Sequence, residues 1–192
     1  MASPVDLPVA RVLEIAWSRP PRIGGGRLVC IDGPAGSGKS TLAEALGAAV
    51  PATVVHLDDL LDGWEGGLPT VVEALVADVL RPLAAGSPAA YHRYDWHAGR
   101  FAEWVPVPPG DLLVVEGVAS GSAAAAAYAS ALVWMEAPHD ERLARGLARD
   151  GDAFAPHWSA WARREAEHFA REGTRARADV VVDTGTREPG PA

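Results

Sequence analysis

The feature that most constrains this chain is the stretch GPAGSGKS at residues 33–40. It has the spacing G-x-x-x-x-G-K-[ST], with Gly33, Gly38, Lys39 and Ser40 at the fixed positions. The β-rich segment RLVCID lies before it, and the helix-forming segment STLAEALGAAV continues from it. A strand before the loop and a helix after it are the context that a phosphate-binding loop requires.

Elementary chemistry explains the residue types in this loop. Glycines let the backbone curl so that successive N–H groups point at phosphate oxygens, and the helix N-terminus adds positive potential. Lys39 offers a compact ammonium to the β- and γ-phosphates, and Ser40 offers a hydroxyl to Mg²⁺. Lys39 is the only lysine among 17 lysine and arginine residues, and a planar guanidinium does not fit this loop in the same way. We therefore expect ATP and Mg²⁺ as cofactors. The expected nucleotide contacts in the loop are Gly33, Ala35, Gly36, Ser37, Gly38, Lys39, Ser40 and Thr41.

Apolar runs alternate with helical patterns along the rest of the chain. Four further segments have strand character: ATVVHL, DLLVVEG, ALVWMEA and ADVVVDT. Helices are expected in TVVEALVADVLRPLAAG and at about 7–18, 122–130, 139–150 and 156–172. Near-continuous apolar strands flanked by helices are typical of a parallel sheet covered on both faces. With 192 residues, we expect one α/β domain over 1–192, with a frayed tail at about 186–192.

Composition excludes several classes of protein. A net charge of −8 argues against a general nucleic-acid binder, which carries a basic excess. The single cysteine excludes an internal disulfide and a cysteine-rich zinc site. The first residues lack the pattern of a signal peptide, and the apolar stretch 123–137 is too short to span a bilayer. We therefore expect a cytoplasmic protein with neither nucleic acid nor membrane as partner.

Two acidic residues follow the second expected strand. In VVHLDDLLDGW, Asp58 and Asp59 stand where a parallel strand delivers side chains to the carboxyl edge of the sheet, at which ligands bind. A carboxylate there could accept a proton from an attacking hydroxyl or hold Mg²⁺ through water. The alternative is that the pair caps a helix or a turn. We interpret Asp58 as the main functional residue and Asp59 as a substrate contact.

Three arginines in ERLARGLARD are spaced to share one helix face. Arg142, Arg145 and Arg149 lie at i, i+3 and i+7, which puts their guanidinium groups on one stripe. In an acidic protein such a stripe suits a polyanionic ligand, so Arg145 and Arg149 are candidate nucleotide contacts. The alternative is a solvated face beside nearby acidic residues. Because three like charges repel, we expect the stripe to be loosely held without nucleotide.

Four stretches together resemble the uridine kinase branch of the phosphoribulokinase/uridine kinase family of P-loop kinases: GPAGSGKST, LDDLL, LLVVEG and RLARGLARD. The resemblance implies a three-layer P-loop kinase fold with a five-stranded parallel sheet in the order 2-3-1-4-5. It implies transfer of the ATP γ-phosphate to a sugar hydroxyl, with Asp58 as general base and Glu116 organising Mg²⁺ and its waters. It also implies a short helical lid at about 140–172, in which Arg142 or Arg145 would offset charge that develops during transfer.

The segment YHRYDWHAGRFAEW is the expected acceptor side, because its aromatic faces could stack on a planar base or a sugar ring. Tyr94, His97 and Arg100 resemble residues with which uridine kinases grip the nucleoside. The sequence departs from that pattern, because His97 is out of register and leucines replace the aromatic residues expected soon after Asp58. The alternative is that these aromatic residues pack under a surface loop.

Two other functions fit the same sequence. A nucleoside monophosphate kinase would use Arg93 and Arg100 to hold an acceptor phosphate. A regulatory ATPase would hydrolyse ATP slowly and signal by closing its lid. Asp58 favours a kinase over a switch, because a switch needs no base for a sugar hydroxyl. We therefore expect an ATP-dependent kinase whose small-molecule substrate is a nucleoside or another sugar-containing metabolite.

Overall fold

The computed structural model describes residues 6–151 and 155–186, and it has the expected α/β architecture. Five parallel strands form a central sheet, and two more strands form a separate antiparallel hairpin. The sheet strands are β1 (Arg27–Asp32), β2 (Thr53–His56), β5 (Leu112–Glu116), β6 (Ala131–Glu136) and β7 (Val180–Asp183). The hairpin strands are β3 (Ala89–Asp95) and β4 (Arg100–Val107).

The order of the central sheet is β2-β5-β1-β6-β7. Counted among the parallel strands alone, this is the expected order 2-3-1-4-5, and the hairpin inserted before β5 accounts for the different numbering. The inner strands β1, β5 and β6 are almost wholly buried, because helices cover both faces of the sheet. The outer strand β7 alternates between half-buried and exposed residues, as an edge strand can.

Helices flank this sheet on both sides. They are α1 (Asp6–Ser18), α2 (Lys39–Ala49), α3 (Leu68–Ala74), α4 (Arg81–Ala84), α5 (Ala123–Ala126), α6 (His139–Asp150), α7 (Trp158–Glu172) and α8 (Thr174–Arg177). A 3-10 helix at Leu57–Leu60 follows β2, and a π-helix at Leu75–Leu80 joins α3 to α4 in one continuous helical segment. The helices expected at about 7–18, 139–150 and 156–172 are confirmed by α1, α6 and α7. The helix expected at about 122–130 is only the four-residue α5.

Each face of the sheet is buried by its own hydrophobic cluster. On one face, α1 and α2 pack against strand residues such as Val29 and Val114. On the other face, Cys30 and Val115 pack with the α3–α4 segment and with Trp161 of α7. Neighbouring strand residues point to opposite faces, so each strand serves both clusters with different residues. Cys30 has no exposed surface.

Strand register brings the functional ends of the strands together. β2 and β5 pair so that His56 lies opposite Glu116, and β1 and β5 pair so that Ile31 lies opposite Glu116. The strands run parallel, so their carboxyl ends meet at one edge of the sheet, where ligands bind in open α/β folds. The glycine-rich loop at residues 33–40, which is the predicted phosphate-binding loop and is called the phosphate loop below, leaves β1 at this edge, beside Glu116.

The segment expected to bind the acceptor forms the hairpin, which the sequence analysis did not predict. β3 and β4 pair antiparallel, with an irregularity between His92 and Tyr94. β3 packs against the 3-10 helix, so the hairpin stands beside the carboxyl edge of β2. Most of β4 is exposed, with Val107 buried at its end. The hairpin therefore forms one wall next to the Asp58 segment.

Two further expectations from the sequence concern membrane-spanning helices and the C-terminal tail. Within residues 6–151 and 155–186, every helix is too short or too polar to cross a bilayer. Residues 187–192 of the tail that was expected to fray lie outside the described residues.

Candidate active site

The phosphate loop has a backbone that glycine supports at two close approaches. Gly33 has φ 139°, and a Cβ there would lie 2.1 Å from the carbonyl oxygen of Met135. Gly36 has φ 77°, and a Cβ there would lie 2.4 Å from the carbonyl oxygen of Arg142. Residues with side chains disfavour positive φ and would also clash with these carbonyl groups. The glycines therefore let the loop pack directly against β6 and α6.

The interior of this loop is suited to an anion. α2 begins at Lys39 after Gly38, and no side chain of the described residues caps its N-terminus. The hydroxyl of Ser37 is buried and has no hydrogen-bond partner in the described part of the chain. Uncapped backbone N–H groups and the positive end of a helix attract phosphate. These features fit the triphosphate of the predicted ATP.

Lys39 lies across the base of the loop. The residue is 8% exposed, and its Nζ donates to the carbonyl oxygens of Gly33 at 2.8 Å and Pro34 at 3.0 Å. An ammonium group carries three donors, so these two bonds leave one donor for a phosphate oxygen. Lys39, the residue predicted to bind the nucleotide phosphates, is therefore held inside the phosphate loop.

Glu116 joins the ends of β2, β5 and α2. Its Oε1 accepts a hydrogen bond from Ser40 Oγ at 3.1 Å and lies 2.6 Å from His56 Nδ1. Burial alone would raise the pKa of Glu116, but the His56 hydrogen bond and the Lys39 charge outweigh burial and lower that pKa. The same hydrogen bond raises the pKa of His56. Both shifts favour an ionised carboxylate beside the loop serine.

A divalent cation would have few protein ligands at this edge. Within residues 6–151 and 155–186, no group of three or more His, Cys, Asp or Glu side chains is arranged to hold a metal ion. Mg²⁺ commonly takes one or two protein oxygens and completes its shell with water and substrate phosphate. Ser40 and Glu116 are in contact at the mouth of the loop, and this pair fits that mode of binding.

Asp32, the last residue of β1, was missed by the sequence analysis. It is fully buried, and its carboxylate accepts backbone hydrogen bonds from Gly33 at 2.8 Å, Ala119 at 2.9 Å and Gly121 at 3.0 Å. Burial raises the pKa of Asp32 to about 6, even though these bonds oppose the rise. Asp32 ties the start of the phosphate loop to the loop after β5. Its only sequence signal is its position directly before the glycine-rich motif.

Asp58 and Asp59 lie in the 3-10 helix that follows β2, at the predicted edge of the sheet. The Asp58 side chain is accessible to solvent, yet desolvation by the surrounding protein raises its pKa, and the charge of Glu116 adds to the rise. The charge of Lys39 acts in the opposite direction, which puts Asp58 within electrostatic range of the loop lysine. Asp59 faces the hairpin, where it accepts a hydrogen bond from the Tyr91 hydroxyl at 3.1 Å.

Two arginines of the predicted stripe contact the phosphate loop directly. Arg142 donates through Nη1 to the carbonyl oxygen of Ala35 at 3.0 Å. Arg145 donates through Nη1 to the carbonyl oxygen of Gly36 at 3.4 Å. Arg149 is exposed in the last turn of α6, and its charge lowers the pKa of Asp58. The stripe therefore spans the region from the loop to the candidate base.

The expectation that this stripe is loosely held without nucleotide is wrong for Arg142 and Arg145. Arg142 pairs with Glu165 at 3.2 Å, and Arg145 pairs with Glu141 at 2.9 Å. Arg145 also donates to the Thr184 hydroxyl at 2.8 Å and to the Thr184 carbonyl oxygen at 2.7 Å. Carbonyl oxygens and carboxylates of the chain thus take the place that the sequence analysis gave to a bound anion.

The predicted acceptor residues differ in how they are placed. Tyr94 is buried, with its ring edge-on to Trp96 at 5.3 Å. His97 and Arg100 are exposed at the turn of the hairpin. The hairpin contacts the candidate base segment through Trp96, whose Nε1 donates to the carbonyl oxygen of Asp58 at 3.1 Å. Tyr94 therefore packs behind Trp96, and Trp96 is the hairpin residue that contacts Asp58.

Trp64 supplies an aromatic side chain that the sequence analysis missed. Its ring stacks on His157 at 4.7 Å and meets Trp96 edge-on at 5.0 Å and Trp161 edge-on at 6.5 Å. Arg164 of α7 donates to the Trp64 carbonyl oxygen. Aromatic residues were expected soon after Asp58, but Leu60 and Leu61 occupy those positions. Trp64 was missed because it lies further along the chain. These contacts join α7 to the acceptor side.

A groove of about 410 Å³ opens between α3 and the hairpin. Carboxylates and aromatic rings line it, among them Asp62, Glu65, Asp78, His92 and Trp104. The rings of His92 and Trp104 stack at 5.0 Å. The groove begins at Leu60, the last residue of the 3-10 helix, and borders the loop that follows it.

Comparison with known proteins agrees with this fold. No protein-family model and no curated protein sequence matches the chain. A solved structure of a possible uridine kinase from Bacillus stearothermophilus is similar over 93% of this chain and 97% of its own, with a TM-score of 0.65 and 21% identity. A Silicibacter protein provisionally named a fructose transport system kinase is similar over 94% of this chain and 100% of its own, with a TM-score of 0.67 and 24% identity. The chain therefore has the three-layer α/β fold of P-loop kinases.

Proposed function

We propose that this protein is an ATP-dependent kinase that transfers the γ-phosphate of Mg-ATP to a hydroxyl of a nucleoside or another sugar-containing metabolite. The observation that carries this proposal is the position of Asp58. This carboxylate lies in the 3-10 helix directly after β2, at the carboxyl edge of the sheet where His56 stands opposite Glu116, and the charge of Glu116 contributes to its raised pKa. A base beside a phosphate loop is the arrangement that activates a hydroxyl acceptor, and its pKa should lie nearer the working pH than that of an isolated carboxylate.

Each group at the site has a role in this proposal. When bound, Mg-ATP supplies the phosphoryl group. The loop amides and Lys39 would hold its phosphates, and Ser40 with Glu116 would hold the cation. Asp58 would take the proton from the acceptor hydroxyl. Arg142 would donate to phosphoryl oxygens as negative charge develops on them.

The charges of the acceptor side support an acceptor without a phosphate group. Arg93 is paired with Glu103 at 2.6 Å, and Arg164 is engaged by the carbonyl oxygen of Trp64 and by Glu65. The Arg93 pairing weighs against the nucleoside monophosphate kinase alternative, which would use Arg93 and Arg100 to hold an acceptor phosphate; Arg100, the other arginine of that alternative, is exposed at the start of β4. The similar structures carry kinase names, one for uridine and one for a fructose transport system, which supports the kinase class without selecting the acceptor.

Release of ADP tests the proposal directly. The protein is mixed with Mg-ATP and a panel of nucleosides, nucleoside monophosphates and sugars. We expect a nucleoside or a sugar to raise ADP release by the wild type and to leave the Lys39→Ala variant unaffected. Strongest stimulation by a nucleoside monophosphate would support that alternative instead. ADP release that no acceptor changes would favour a slow regulatory ATPase.

A further inference from the structure

Glu165 of α7 is a buried carboxylate that touches the phosphate loop from outside the motif. The residue is 2% exposed. Its Oε2 accepts a hydrogen bond from the backbone N–H of Ala35 at 2.9 Å, and its Oε1 accepts one from Arg142 Nη1 at 3.2 Å. The same Nη1 donates to the carbonyl oxygen of Ala35 at 3.0 Å. Three residues from three parts of the chain thus form a closed ring.

A buried charge in this position needs a reason, because burying a carboxylate is costly unless it is paired and hydrogen-bonded. Burial raises the pKa of Glu165, and the Ala35 hydrogen bond and the charges of Lys39 and Arg142 oppose that rise. The ring supplies a charge-assisted hydrogen bond to the guanidinium and another to the backbone. The contacts with Ala35 and Arg142 therefore offset the free-energy cost of burying the carboxylate.

The helix that carries Glu165 is anchored. Trp161, one turn earlier in α7, is buried in the main hydrophobic cluster, and Ala35 packs against the same cluster. Arg164, the neighbouring residue, donates to the Trp64 carbonyl oxygen and to Glu65 on the acceptor side. Because Trp161 and Arg164 hold the turn of α7 that leads to Glu165, they fix the position of its carboxylate.

The orientation of Arg142 follows from this ring. Its Nε donates to the carbonyl oxygen of Ala137 at 3.2 Å, and its Nη1 is shared between Ala35 and Glu165. Within residues 6–151 and 155–186, the hydrogen bonds of this guanidinium use Nε and Nη1 and leave Nη2 without one, and the guanidinium carbon lies 5.7 Å from the centroid of the Trp158 ring. A guanidinium fixed by two of its nitrogens can present the third to a ligand in the loop without further loss of side-chain freedom.

We propose that Glu165 is a positioning residue, which fixes Arg142 so that Nη2 addresses the terminal phosphate of a nucleotide in the loop. This inference rests on the proposed function, because it takes the ligand of the loop to be ATP. Glu165 acts through Arg142 and touches no reacting atom. The alternative is that the Glu165 carboxylate merely occupies the phosphate loop and is displaced when phosphate binds.

Binding of two nucleotides tests the inference without any need for turnover. Isothermal titration calorimetry with Mg²⁺ measures the affinity for ADP and for a non-hydrolysable ATP analogue. The proteins are the wild type, Glu165→Gln, Arg142→Ala, the double variant and, as a matched control, Glu167→Gln, since Glu167 is exposed on the same helix. A glutamine keeps the size of Glu165 but turns an N–H group or a neutral oxygen toward Arg142.

We expect the affinity ratio of the ATP analogue to ADP to fall about tenfold in Glu165→Gln and in Arg142→Ala, as for one well-placed charged hydrogen bond. The double variant should lose no more than Arg142→Ala alone, because both changes remove one interaction. Glu167→Gln should keep the wild-type ratio.

Three results would overturn the inference. One is an unchanged ratio in Glu165→Gln. Another is tighter binding of both nucleotides by that variant, which would mean that Glu165 is a displaced anion. The third is a double variant whose loss equals the sum of the single losses. Failure of the proposed function would be seen separately, as the lack of acceptor-stimulated ADP release by the wild type.

Discussion

The Nδ1 atom of His56 lies 2.6 Å from Oε1 of Glu116, directly across the register of β2 and β5. The same carboxylate oxygen accepts the Ser40 hydroxyl at 3.1 Å. The histidine thus holds one oxygen of Glu116 on the side of the phosphate loop. We infer that this contact orients the carboxylate for a magnesium ion and its waters, in the way that hydrogen-bonded groups around a site orient metal ligands.

Replacement of Glu116 tests this assignment. Glu116→Gln should raise the Mg²⁺ concentration needed for half-maximal ADP release by about 10–100-fold, because a neutral amide is a weaker ligand for a hard cation and its waters. The measurement is a Mg²⁺ titration at saturating ATP and acceptor. Glu44→Gln is the matched control, since Glu44 is exposed on α2. An unchanged Mg²⁺ requirement in Glu116→Gln would contradict the assignment.

The lone lysine gives a second prediction. Lys39→Ala should abolish phosphotransfer and weaken ATP binding while the fold persists, which circular dichroism would check. Lys39→Arg should be nearly as poor, because the buried loop base holds a compact ammonium between two carbonyl oxygens. Near-normal turnover by Lys39→Arg would show that the loop accepts a guanidinium and that the reason given for the single lysine is mistaken.

The raised pKa of Asp58 predicts the pH dependence of the reaction. A general base works in its ionised form, so kcat/KM should fall as the pH is lowered through the pKa of this carboxyl. Because desolvation by the surrounding protein and then the Glu116 charge raise that pKa, the acidic limb should lie at higher pH than for an aspartate without these neighbours. The profile is measured with Mg-ATP saturating and the acceptor varied. An acidic limb at the position of an ordinary aspartate would contradict this prediction.

Asp32 predicts a pH dependence of stability. Its folded-state pKa of about 6 lies above the value of about 3.9 for an unfolded aspartate, so the folded state binds the proton more tightly. Its contribution to the free energy of unfolding is therefore greatest below pH 4, by these pKa values, and is lost as the pH rises through about 6. Relative to Asp32→Asn, the wild type should lose on the order of 3 kcal/mol between these limits.

Urea unfolding of both proteins between these pH limits measures this change. Asp111→Asn is the control for removal of an exposed carboxyl, since Asp111 is exposed directly before β5. A wild-type advantage over Asp32→Asn that stays constant, or that grows as the pH rises, would contradict the assignment of this carboxyl.

Local patterns account for the parts of the fold that the sequence predicted. The spacing of Gly33, Gly38, Lys39 and Ser40 fixes a loop whose geometry depends on a few neighbouring residues. Buried parallel strands give apolar runs, and these runs mark all five strands of the sheet. Asp58 could be placed because a residue at the end of such a strand lies at the ligand edge whatever the rest of the chain does.

Long-range contacts account for most of what the sequence analysis missed. Glu165 meets Ala35 across 130 positions of the chain, and no local pattern marks that contact. The hairpin was missed because β4 is exposed along most of its length and so lacks an apolar run. The arginine stripe was expected to repel itself, and the error arose because the carbonyl oxygens around Arg142 and Arg145 belong to a loop that is distant in sequence.

The central claim is that Asp58 takes the proton from an acceptor hydroxyl, which then receives the γ-phosphate of ATP. The product of the reaction tests this claim most directly. With the acceptor that best stimulates ADP release, ³¹P NMR distinguishes a phosphate ester from inorganic phosphate. The wild type should form one ester per ADP, and Asp58→Asn should form it about 10²–10⁴-fold more slowly with ATP affinity little changed. Inorganic phosphate as the main wild-type product, or an Asp58→Asn variant that forms ester at the wild-type rate, would contradict the account.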